Sequence, residues 1–123
     1  MNILIIEDEP ELRDAFQEIL TLVGDHNVVT AANGRAGLEY LEAASTKPDL
    51  IVMDLFMPEM NGIQFCEIRL KDPRWLSIPL ILMSADSDFE KRCPDLKAAA
   101  FLHKPVDLNY LISEVNRVSQ ITP

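Results

Sequence analysis

The sequence predicts an α/β domain, a five-stranded parallel sheet doubly wound by helices on both faces. Three observations carry that expectation. The unbroken apolar runs Ile3 to Ile6, Leu50 to Met53 and Leu80 to Met83 read as strands buried on both faces. Segments with apolar residues at helical spacing alternate with them. Gly, Pro, Asn and Asp punctuate the joints, and no repeat, linker or low-complexity segment interrupts the alternation.

The first strand, Asn2 to Ile6, ends in three carboxylates, Glu7, Asp8 and Glu9. Pro10 opens a helix with Leu12, Ala15, Phe16, Ile19, Leu20 and Val23 on one face, stopping near Gly24. His26 to Thr30 is short and more polar, as an edge strand is. Asn33 and Gly34 turn the chain into a helix carrying Ala36, Leu38, Leu41 and Ala44, which runs out at Ser45 to Pro48. The third strand ends at Asp54. Pro58, by fixing φ, and Gly62, by permitting unusual φ, then shape the exit loop. A helix follows from Ile63 through Phe65, Cys66 and Leu70, closed by Asp72 and Pro73.

Trp75 and Leu76 are expected to pack over the sheet edge. The fourth strand, Leu80 to Met83, leads into Ser84, Ala85 and Asp86. A helix is due between Asp88 and Leu96, but Pro94 falls inside it, at ~3 kcal/mol or more in a helix interior. That helix is therefore predicted to be short, broken or displaced. Ala99 to Leu102 form the fifth strand before His103, Lys104 and Pro105, and Asp107 caps a last helix with Leu108, Leu111, Ile112, Val115 and Val118 on one face.

Composition narrows the function. The 123 residues suit one domain, 1–123, and the 48% apolar content excludes disorder. No apolar run approaches the ~20 residues that span a bilayer, and no basic leader precedes the first strand, so a cytoplasmic chain with no membrane partner is expected. Eleven basic residues against twenty acidic ones leave a net charge of -9, which repels nucleic acid, so no direct nucleic-acid binding is expected. Cys66 and Cys93 lack CxxC spacing and read as reduced core or near-core thiols. His26 and His103 read as surface or packing residues, and Met53, Met57 and Met60 as gap-fillers around the Asp54 site. Glu39, Glu42 and Glu90 read as solvated helix faces.

The chemistry lies at the strand ends. Parallel strands put Glu7, Asp8, Asp54, Ser84 and Lys104 on one sheet edge, where open α/β folds hold ligands. Crowded carboxylates resist joint ionisation unless a cation joins them. A hard divalent ion with oxygen ligands, Mg²⁺ above all, fits this set and leaves positions for water and a phosphate oxygen.

ILIIEDE at the start, DLFMPEMNG around Asp54, LMSA at Ser84 and FLHKP at Lys104 resemble, in this order and across the whole chain, the receiver domain of two-component response regulators. The resemblance implies the flavodoxin-like, CheY-like strand order 2-1-3-4-5. It also implies a phosphorelay function in signal transduction: Asp54 takes a phosphoryl group from the phosphohistidine of a histidine kinase or phosphotransfer protein. Asp8 and Asp54 would ligate Mg²⁺, Glu7 would hold a metal-bound water, and Phe56 would add its backbone carbonyl. Lys104 would pair with the phosphoryl oxygens and Ser84 would donate to one of them. Phe101, three residues before the lysine, would turn inward as Ser84 moves, switching the face built from the fourth helix, fifth strand and fifth helix.

That face would control a downstream output protein or domain, or form a homodimer, and the Lys104-Pro105 bond would be cis. The chain would not be an enzyme beyond catalysing its own phosphorylation and dephosphorylation. The alternative is a phosphorylation-independent pseudo-receiver acting as an interaction module. An aspartate-nucleophile phosphatase fits less well, since Phe56 stands where such enzymes carry their second aspartate. Phe56 is expected to shield the phosphoryl group from water.

Overall fold

Five parallel strands pair in the order β2-β1-β3-β4-β5. They are β1 (Asn2–Ile6), β2 (Asn27–Ala31), β3 (Leu50–Asp54), β4 (Leu80–Ser84) and β5 (Ala100–His103). The helices are α1 (Pro10–Leu22), α2 (Gly34–Ala43), α3 (Gly62–Lys71), α4 (Cys93–Leu96) and α5 (Leu108–Ile121). This computed structural model describes residues 1–57 and 60–121. Pro58 and the Cys93 thiol lie outside the described residues.

The apolar runs are central strands buried on both faces, and β2, which pairs only with β1, is the more exposed edge. Because side chains alternate along a strand, one face receives Ile3, Ile5, Leu50, Val52, Ile81 and Met83. Phe16 and Leu20 of α1 pack there with Leu111, Val115 and Val118 of α5. The opposite face receives Leu4, Ile6, Ile51, Met53, Leu80 and Leu82 against α2, α3 and Leu96 of α4. Val23 and Leu108, expected on buried faces, are 60% and 37% exposed. Val23 lies one residue past α1 and Leu108 is the first residue of α5, so neither is carried against the sheet by a complete helical turn.

Pro94 acts as the sequence predicts. A 3₁₀ helix, Ser87–Arg92, precedes a single α-turn, Cys93–Leu96, with Pro94 in its first turn where the missing N–H leaves no helical bond unmade. Lys97, with φ 54°, then reverses the chain toward β5. Trp75, expected over the sheet edge, is enclosed in the core. It is 2% exposed, within the α2 and α3 layer, with the Arg74 guanidinium 4.4 Å from its ring. Arg74 also bridges Asp72 and Glu42, so Glu42 is a paired rather than merely solvated charge.

Arg69 holds this corner together. It is 2% exposed on the buried stripe of α3, and burial holds its guanidinium below the ordinary arginine value. Its Nε and Nη2 donate to the Ile78 carbonyl at 3.2 and 2.6 Å, Nη2 to Leu76 O at 3.3 Å, and Nη1 to Leu96 O at 3.4 Å. One side chain thus joins α3, the approach to β4 and the end of α4.

Candidate functional site

Parallel strands deliver their carboxyl ends to one edge, and the register fixes which residues meet. Ile6 pairs with Met53, Asp54 with Met83, and Ser84 with His103. Ladder bonds run on past the strands: Glu7 N donates to Ala31 O at 3.1 Å, Leu55 N to Met83 O at 2.9 Å and Lys104 N to Ser84 O at 2.9 Å. The side chains at the edge are therefore held by sheet rather than by loop.

Glu7, Asp54 and Ser84 are buried among apolar residues. Lys104 Nζ donates to Asp54 Oδ2 at 2.7 Å and forms an ion pair with Glu7 Oε1 at 2.8 Å, at an angle outside that of a hydrogen bond. The Asp54 carboxylate is oriented from its other side by the Phe56 amide, which donates to Oδ1 at 3.2 Å. Glu7, Asp8 and Asp54 each present an oxygen within 4.8 Å of the others. Ser84 Oγ accepts from the Asp86 amide at 3.0 Å. A groove of about 480 Å³ lined by Glu9, Leu12, Ala85, Lys104, Pro105 and Val106 opens beside Lys104.

Electrostatics explains why the cluster calls for a cation. Burial pushes the Glu7 carboxyl up to about 7, Lys104 pulls it down in part, and the Asp54 charge adds to the rise. Burial alone would lower the Lys104 ammonium, but the hydrogen bond to Asp54 and the close carboxylates of Asp54 and Glu7 outweigh it and hold it raised. One ammonium is thus shared by two buried carboxylates with a third beside them, and an oxygen-seeking dication fits that donor set.

A pH dependence follows. Glu7 keeps its proton to about 7 in the fold but releases it near the ordinary value of 4.5 when unfolded, so the folded chain binds the extra proton between them. With chelator present, this contribution is complete below the unfolded value and is lost as pH rises through about 7. His26, held low by burial and by the charge of the N-terminus, acts in the opposite direction. The expected result is that lowering pH from about 8 to about 5.5 raises the melting temperature of the wild type relative to Glu7→Gln; parallel curves rule this out.

The loop after Asp54 needs Gly62, but not for its φ, since no described glycine has a positive φ. A Cβ there would lie 2.7 Å from Leu55 Cα and 2.8 Å from the Asp54 carbonyl oxygen, so α3 starts closer to the strand end than any side chain allows. Asn61 caps that start with a reciprocal Asn61 and Gln64 box, and Gly62 N donates to Leu55 O at 2.7 Å. Met53 and Met57 are buried, and Met60 packs against the same apolar layer.

Phe101 is half-buried on β5, its ring edge-on to His103 at 5.0 Å, and His103 Nε2 lies 3.5 Å from Glu90 Oε2. The Lys104-Pro105 bond is cis. Two neighbours escaped the sequence reading. Arg13 Nη1 donates to the Glu7 carbonyl at 3.0 Å, and its position one turn into α1, pointing back toward the helix start, was a usable signal. Phe89, whose ring meets Phe56, had none.

Residues 3–116 match the model of the response regulator receiver domain. The chain belongs to that family. It is 39% identical over 114 residues to the KDP operon transcriptional regulatory protein KdpE of Escherichia coli, covering 89% of this chain and 47% of that protein. It is 32% identical over 109 residues to response regulator Rre1 of Synechocystis, covering 87% and 46%. The receiver thus spans about half the length of these relatives. Among solved structures, the non-phosphorylated HemR receiver domain of Leptospira biflexa superposes with a TM-score of 0.87 at 26% identity, covering 99% of this chain and 96% of that one. Response regulator TrrA of Thermotoga maritima, solved in complex with Mg²⁺-BeF, gives 0.81 at 26% identity, covering 95% and 97%. Receiver domains are signalling domains rather than classical enzymes, and this one has the CheY-like sheet order. Among the described residues no helix is long and apolar enough to cross a membrane.

Proposed function

We propose that this receiver accepts a phosphoryl group on Asp54 in a Mg²⁺-dependent reaction and passes the change to a partner through the face of α4, β5 and α5. The observation that carries this is the Lys104 ammonium shared between Asp54 Oδ2 and Glu7 Oε1, beside the three converging carboxylate oxygens. Glu7, Asp8 and Asp54, with the Phe56 carbonyl, would hold Mg²⁺, which when bound neutralises charge on a phosphoryl group. An Asp54 oxygen attacks phosphorus as the bond to the phosphohistidine nitrogen breaks and the imidazole keeps the electron pair. Lys104 stays with the equatorial oxygens, and the Phe56 amide keeps Asp54 aimed. Such a transfer through a loose transition state needs positioning and charge more than covalent help.

Ser84, released from the Asp86 amide, would donate to the phosphoryl group, and Phe101 would move inward behind it. The donor partner is a histidine kinase or phosphotransfer protein. The output is a separate protein or a further domain, with no nucleic-acid contact from this acidic receiver. The domain is the whole of residues 1–123, working in the cytoplasm. The test is acetyl phosphate with Mg²⁺ on wild type and Asp54→Asn, read by intact mass. The wild type gains one phosphoryl group and the variant none; an unmodified wild type supports the phosphorylation-independent module instead.

A further inference from the structure

We propose that Phe89 is a positioning residue that holds the Phe56 ring across the mouth of the Asp54 site and so lengthens the life of the aspartyl phosphate; this rests on the function proposed above. The two rings meet edge to face, with centroids 4.9 Å apart and planes at 86°. Phe56 stands two residues past Asp54, is 50% exposed, and has its own amide fixed on Asp54 Oδ1. Phe89 lies in the 3₁₀ helix that follows β4, half-buried against the α2 and α3 layer. The pair therefore spans two neighbouring strand-end loops, one leaving Asp54 and the other leaving Ser84. An exposed phenylalanine by itself calls for no explanation. One that meets the edge of a second ring itself seated on the core is biased toward that position.

Hydrolysis gives that placement its effect. Water attacks phosphorus in line as the bond from phosphorus to Asp54 oxygen breaks, the carboxylate leaves with the electron pair, and the water proton passes to solvent. The attacking water approaches opposite Asp54, from the solvent side where these two loops emerge. Phe56 excludes water only while Phe89 braces it.

The experiment labels each protein with acetyl phosphate and Mg²⁺, removes the donor, and follows loss of the phosphoryl group by intact mass. Phe89→Leu, which keeps the core filled and removes the ring edge, is expected to lose it about threefold to tenfold faster than wild type, as is Phe56→Asn. The double variant is expected to decay no faster than the faster single one, because the two rings act as a unit. Phe89→Tyr, which keeps the edge-to-face contact, restores the wild-type lifetime. A Phe89→Leu lifetime equal to wild type, multiplicative single effects, or a Phe89→Tyr protein as short-lived as Phe89→Leu overturns the brace alone. A wild type that never takes the label overturns the brace together with the function it rests on.

Discussion

Lys104→Met is expected to slow phosphoryl acceptance from acetyl phosphate by about a hundredfold or more, the usual loss when one preorganised charged donor is taken from a reacting centre. The reason lies in the 2.7 Å bond to Asp54 Oδ2 and the 2.8 Å approach to Glu7 Oε1. The ammonium keeps two buried carboxylates compatible, and among the described residues it is the only cation paired with Asp54. Methionine fills similar volume without charge, so Glu7 is pushed still further up by burial and by Asp54. Initial rates at saturating Mg²⁺ measure the effect, and a rate within about threefold of wild type would refute the role.

Arg69→Met is expected to destabilise the fold by about 2–4 kcal/mol. The substitution strips hydrogen bonds from the carbonyls of Leu76, Ile78 and Leu96, all made by one charged group. Against that, the chain no longer buries a guanidinium that has no carboxylate partner among the described residues, which keeps the loss below the sum of the individual bonds. Denaturant titration monitored by Trp75 fluorescence reads it directly; a loss under about 1 kcal/mol would mean the carbonyls find other partners.

Most of the architecture was legible because its signals are local. Four-residue apolar runs marked the central strands, the polar His26 to Thr30 stretch marked the edge, and Pro94 marked the interrupted fourth helix. The acidic cluster was legible too, since parallel strands leave no choice about which edge Glu7, Asp8 and Asp54 share. What failed depended on pairing in space. Arg69 falls on the same stripe as Phe65 and Cys66, yet a charged side chain there reads as solvated until the carbonyls of the strap before β4 are seen around it. Gly62 was read as a conformational need and proved to be a spatial one. The contact between Phe56 and Phe89 joins residues 33 positions apart with no shared pattern.

The strand-edge assembly also makes this chain divisible in a useful way. Ser45, Thr46 and Lys47 form an exposed connection between α2 and β3. A break there would leave Glu7 and Asp8 on one fragment, and Asp54, Ser84 and Lys104 on the other. Neither fragment alone could assemble the donor set, so phosphoryl capture would report that the two had come together, giving a split sensor whose readout is the chemistry itself.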